Sequence, residues 1–149
     1  MTERPQLDFG NYLPYLVNRV GFALVDHFTR DALAPNNLSI AMWRVLAVLS
    51  SNGEQRQIDL SEMTSIDAST LSRLVTRLVE LDLVTRRRSK TSSREVVVEL
   101  SPKGRGIVDR LIPVAQKLER TAIAGVPAKD LAVVRRSLRR MYENMAKRR

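Results

Sequence analysis

Cysteine is absent from this chain, and histidine occurs once, as His27. The first absence excludes disulfides, cysteine-based redox sensing and thiolate-bound zinc. The second leaves a histidine metal site or a Ser-His-Asp triad short of parts. Aromatic residues make up 5% of the chain. No apolar run approaches the roughly 18 residues that a membrane span needs. The opening MTERPQLDFG lacks the apolar core of a signal peptide, so a cytoplasmic location is expected. There is no glycine-rich phosphate loop. Ser69 and Ser72 have no histidine base near them, and the acids form no pair on one helix face. No enzymatic role, metal or cofactor is therefore expected.

What is present is positive charge. Lys and Arg number 25 against 16 acids, a formal net charge of +9 in 149 residues, of which 44% are hydrophobic. That length fits one domain with a real core. The charge favours a polyanionic partner, either nucleic acid or an anionic membrane surface. Where the basic residues fall favours nucleic acid and argues against a membrane.

The informative stretch runs from Asp67 to Leu100. In DASTLSRLVTRLVEL, Asp67 is placed to cap a helix, and Leu71, Leu74, Val75 and Leu78 recur at helical spacing. The opposite face carries Ser69, Thr70, Ser72, Arg73, Thr76 and Arg77. Hydroxyls and guanidinium groups on one face suit a major groove, where Arg grips a guanine edge. Val84 to Arg88 and Glu95 to Leu100 then read as two strands of a hairpin, the second placing Val96, Val98 and Leu100 on one side. Their polar tip, SKTSSR, lies within a basic run of Arg86, Arg87, Arg88, Lys90 and Arg94. A charge run by itself reads as a solvated face. Beside an Arg-bearing helix it reads as the wing of a winged helix-turn-helix.

The rest of the chain fits that plan. Residues 1–11 read as a loose arm. A first helix starts near Pro14 and runs to about Asp31 or Leu33, with Leu13, Leu16, Val17, Val20, Leu24 and Phe28 as its stripe. Pro35-Asn36-Asn37 breaks it. Ser39 caps a second helix that ends at Asn52-Gly53. A short helix from about Gln57 to Met63 and the turn Thr64-Ser65-Ile66 complete a helix-turn-helix. Ser101-Pro102 opens a further helix to about Ile123, which Pro113 should kink. The last helix, about Ala128 to Lys147, has the coiled-coil-like seam Leu131, Val134, Leu138, Met141 or Tyr142, and Met145. A terminal helix with such a seam needs a partner: the first helix, a second copy of the chain, or both.

The pieces WRVL at 43–46, STLSRLVTRL at 69–78, LVTR at 83–86 and LSPKG at 100–104 together resemble the multiple antibiotic resistance regulator (MarR) family, over about residues 39–108. The resemblance implies a mainly α fold with a small β-hairpin wing. It implies a bacterial regulator, most often a repressor, binding double-stranded DNA as a homodimer on a pseudo-palindromic operator, its affinity altered by a small aromatic acid or phenolic effector. The chain 1–149 would be one unit. A winged helix-turn-helix part over 36–100 would be flanked by dimerisation helices at 11–34 and 101–149, with Leu13, Leu16, Leu131, Val134, Leu138, Met141, Tyr142 and Met145 at the dimer interface. DNA would meet Ser69, Thr70, Ser72, Arg73, Thr76 and Arg77 on the helix, and Arg86, Arg88, Lys90 and Arg94 on the wing. Arg94 matches the family's wing arginine. Two departures stand out: Asp82 replaces a glycine after the recognition helix, and Ser89, Thr91 and Ser92 replace acids at the wing tip.

Three residues suggest a ligand site. Trp43 reads first as core and second as a pocket wall. His27 reads first as a packed residue and second as an anion contact titrating near neutrality. Arg19 reads first as solvated or at the dimer contact, and second as the partner of a carboxylate. The competing function is an architectural, weakly sequence-selective DNA-binding protein, for which the charge suffices but the ordered helix-turn-helix is superfluous.

Overall fold

The computed structural model describes residues 4–147. They divide into two compact units, the first ending at Ala115 and the second starting at Gln116.

In the first unit, α1 (Leu13–Phe28) starts with Pro14 in its first turn and runs through a π turn (Thr29–Leu33) and a short 3-10 segment (Ala34–Asn36). Ser39 caps α2 (Ile40–Asn52), its hydroxyl accepting from the Met42 N–H at 3.2 Å. Then come α3 (Gln57–Thr64), α4 (Ala68–Glu80), the hairpin β2 (Val84–Arg88) and β3 (Val96–Leu100), and the start of α5 (Pro102–Ala122). The core gathers one or more residues from nearly every element: Leu33, Leu46, Leu49, Leu60, Leu71, Val75, Leu78, Val98 and Val108 are all at most 1% exposed. The expected helix-turn-helix and hairpin are both present.

One strand escapes sequence reading. Gln55–Arg56 forms β1, which pairs antiparallel with β3, so the sheet order is β1-β3-β2. Two residues carry no alternation to detect. Their presence makes β3 the central strand. That explains why Val97 is buried as well as Val98: the row Arg56, Val97, Arg87 shares one face, and the two arginine stems cover the valine between them.

Three helical segments end in the same way without glycine. Asn37, Ser65 and Asp82 take left-handed φ of 55°, 56° and 59°. After each, the next N–H reaches back five residues: Leu38 to Leu33, Ile66 to Ser61 and Leu83 to Leu78. This is the Schellman closure, which satisfies carbonyls that the helix leaves open. Asp82 thus does the job expected of a glycine there.

α5 continues through Pro113 as one element. Within the second unit, Arg135 of α6 (Ala128–Ala146) bonds Glu119 at 2.9 Å. No residue of α6 is buried, and Val134, Leu138, Met141, Tyr142 and Met145 are exposed. No single helix among the described residues is long and apolar enough to cross a membrane.

Candidate nucleic-acid interface

The interface is built on the N-terminus of α4. The Asp67 carboxylate accepts the Thr70 N–H at 2.9 Å and the Ser69 hydroxyl at 2.8 Å. Hydrogen bonds from Thr70 and then Ser69 hold the Asp67 carboxyl below the usual carboxylate range. A depressed folded value means that the cap stabilises above the unfolded carboxylate pKa of about 3.9 and is lost as pH falls through the folded one. Thermal melts between pH 7 and pH 2 should show that acid loss, and Asp67→Ala should remove it.

Leu71, Val75 and Leu78 are fully buried, so the opposite face of α4 turns outward. Ser69, Arg73, Thr76 and Arg77 are exposed there, and Thr70 and Ser72 are half-buried. Arg73 leans on the Thr70 hydroxyl at 3.3 Å, and Arg77 pairs with Glu80 at 3.1 Å. Both guanidinium groups are exposed and each partner lies within one turn, so each can exchange that bond for a base edge or phosphate at small cost.

Strand alternation sorts the triple arginine of the wing. Arg86 shares a face with Val98 and reaches α4, donating to the Thr76 hydroxyl at 3.0 Å; Thr76 in turn donates to the Ser72 carbonyl at 3.0 Å. Arg86, Thr76 and Ser72 are therefore one hydrogen-bonded chain between wing and recognition helix. Arg88 bonds the Ser93 carbonyl at 2.6 Å and closes the tip. Arg87 faces the other way and pairs with Glu54. Among the described residues, Lys90 and Arg94 are exposed and have no side-chain partner.

Sequence reading missed the supports. Arg56 is gripped by both Asp59 oxygens at 2.7 and 2.8 Å and gives its remaining nitrogen to Glu95 at 2.9 Å. The first of these hydrogen bonds, with Asp59, raises Arg56 above its ordinary range and holds Asp59 below the carboxylate range. Behind α4, LSPKG forms the joint to α5. Lys103 Nζ donates to the Leu81 carbonyl at 2.9 Å, and the Ser101 hydroxyl donates to that of Asp82 while accepting the Gly104 N–H at 2.9 Å. A Cβ on Gly104 would lie 1.9 Å from the Leu83 carbonyl oxygen. No alternation or periodicity signals such bonds.

The three ligand candidates sit apart. Arg19 stacks on Tyr15 at 5.5 Å, exposed His27 Nδ1 meets Arg30 at 2.9 Å, and half-buried Trp43 sets its ring edge-on to Phe28 at 5.2 Å. Trp43 also lines a groove with Arg44, Ala47, Val48, Met63, Thr64 and Ser65, which neither Arg19 nor His27 lines.

Comparison with known proteins agrees with this geometry. A family model described as the MarR family matches residues 36–95. The chain is 27% identical over 117 residues, 78% of this chain and 73% of the relative, to the HTH-type transcriptional repressor NicR of Pseudomonas putida. The crystal structure of a MarR family transcriptional regulator from Silicibacter pomeroyi superposes with a TM-score of 0.83 at 27% identity, over 94% of this chain and 96% of that one. Bordetella bronchiseptica BpsR, whose DNA binding is regulated by 6-hydroxynicotinic acid, shares the fold at 24% identity and a TM-score of 0.76, over 87% and 98% of the two chains.

Proposed function

We infer that the chain belongs to the MarR family of winged helix-turn-helix transcriptional regulators and is a DNA-binding regulator, and that it represses transcription as a homodimer on a pseudo-palindromic operator, in the cytoplasm and without catalysis. The observation that carries this reading is the outward face of α4 beside a wing with two uncommitted cations. Arg73 and Arg77 stand over a helix whose other face sends Leu71, Val75 and Leu78 into the core. Ser69, Thr70, Ser72 and Thr76 supply hydroxyls to bases or phosphates, and Arg94 and Lys90 reach the adjacent minor groove or backbone. Arg86 and Arg88 brace the wing in the free protein and add charge at the same surface.

The exposed apolar residues Leu13 and Leu16 on α1, and Val134, Leu138, Met141, Tyr142 and Met145 on α6, support self-association; Leu131, half-buried, belongs to the same seam. The regulation of BpsR by an aromatic acid supports a small aromatic or phenolic effector. The Trp43 groove, with Arg44 at its wall, supplies a stacking surface and a cation for such a molecule. Arg19 and His27 remain second candidates for its carboxylate.

A two-fold dimer presents two identical α4 helices, so each must meet the same bases, in half-sites centred about 10 base pairs apart. Five base pairs inserted between the half-sites turn one to the far side of the duplex. Binding is expected to fall towards the non-specific level, roughly 10³-fold or more. Indifference to the insertion, or a footprint without dyad symmetry, would favour the architectural alternative.

A further inference from the structure

Resting on the reading of Arg94 as a DNA contact, we propose that Arg56 and Glu95 form a clamp that sets where Arg94 stands, making Arg56 a positioning residue for DNA binding. Arg56 is the residue before α3, and Asp59 lies one turn into that helix. The two-pronged bond to Asp59 fixes the plane of the guanidinium on the helix-turn-helix itself. Its free corner then points at Glu95, 39 residues further along the chain.

Glu95 is the residue after Arg94 and the last before β3. Its carbonyl accepts the Ser89 N–H at 2.8 Å, and its own N–H donates to the Ser92 carbonyl at 3.2 Å. It therefore closes the tip loop, and a shift of Glu95 carries Arg94 with it. Arg56, Glu95 and Arg94 line one groove together with Ala68, the first residue of α4. The clamp thus ties the start of α3 to the base of the tip.

The charges make the role testable. One guanidinium and two carboxylates sum to −1 (+1 −1 −1) beside the surface offered to phosphates. By charge alone, deleting the Glu95 carboxylate should tighten DNA binding. If the carboxylate instead anchors Arg94, deleting it should weaken binding. The two side chains are 49% and 35% exposed, so the pair adds little to global stability, and melting alone would not detect the role.

The experiment uses the full chain and a duplex that the wild-type protein enriches from a random-sequence pool. Glu95→Ala and Arg56→Gln are each expected to weaken binding by roughly 2- to 100-fold, the span of coupling within one ion-pair network. In an Arg94→Ala background, Glu95→Ala should cost nothing further. Trypsin should cut after Lys90 and Arg94 faster in both clamp variants while their melting temperatures stay near wild type. Tighter or unchanged binding by Glu95→Ala overturns the clamp. If Arg94→Ala weakens binding while Glu95→Ala does not, the clamp fails and the Arg94 contact stands. If Arg94→Ala itself binds as wild type, the Arg94 contact fails and the clamp's role in DNA binding falls with it.

Discussion

Helices α4 and α6 carry one kind of pattern and end in opposite conditions. Each has apolar residues at three- and four-residue spacing and arginines on the remaining faces. In α4, Leu71, Val75 and Leu78 are 0% exposed; in α6, Val134, Leu138 and Met145 are 47%, 43% and 65% exposed. Amphipathic spacing states that a helix has a partner but not in which molecule the partner resides. The stripe of α4 finds its partners within the same compact unit. The stripe of α6 is left for another surface, which the proposed dimer supplies. The arginines differ accordingly: those of α4 flank a face with no apolar residues, and Arg135 of α6 is taken up by Glu119.

The contrast is sharpest by matched truncation. Leu71→Ala should cost about 2–5 kcal/mol at any protein concentration, as expected for a core cavity. Leu138→Ala should lower the melting temperature by an amount that depends on concentration, because its stabilisation comes through association. Leu138→Arg should give a folded monomer in sedimentation equilibrium at micromolar concentration, since it places a charge in an apolar seam. Equal, concentration-independent losses at both leucines would erase the distinction.

Gly104→Ala probes how α4 is held from behind. A methyl group 1.9 Å from the Leu83 carbonyl must displace backbone, and roughly 1–3 kcal/mol of overpacking cost is expected in a denaturant titration. Gly106, with open space around its Cβ direction, is the control: Gly106→Ala should be neutral or mildly stabilising.

On the outer face, Arg73→Ala should relax base preference by roughly 1–3 kcal/mol, as loss of a bidentate guanine contact would. Lys90→Ala should weaken selected and random duplexes alike and reduce the salt slope by about one. If the two variants behaved identically, the outer face of α4 would be an electrostatic surface like any other.

The smallest effect concerns the end of α4. Asp82→Gly should stabilise by roughly 0.5–1 kcal/mol. It relieves a left-handed L residue and removes an anion from the negative end of the helix dipole, against the entropy that glycine adds to the unfolded chain.

Much of this architecture was legible because it follows from spacing and caps. Ser39, Asp67, Pro102 and the leucines of α4 carry their own local instructions, so helix ends fell within a residue or two. β1 was not legible: a two-residue strand exists only because β3 offers it an edge. The fate of the three consecutive arginines was half legible. Composition marks all of them as basic, but only pairing register reveals that Arg87 turns to Glu54 while Arg86 turns to α4. Glu95 read as the first residue of a strand and proved to be the residue that fastens the tip. Such roles belong to contacts between distant segments, which no local pattern encodes.

In mechanical terms the junction behind α4 is a weld rather than a hinge. Ser101 N–H bonds the Leu83 carbonyl at 3.1 Å, its hydroxyl and the Lys103 ammonium hold Asp82 and Leu81, and Gly104 leaves no gap in which the two backbones could slide. A torque on α5 at Val108 or Leu111, both in the core, is therefore delivered to the recognition helix undamped. Turning α4 therefore means turning α5 with it.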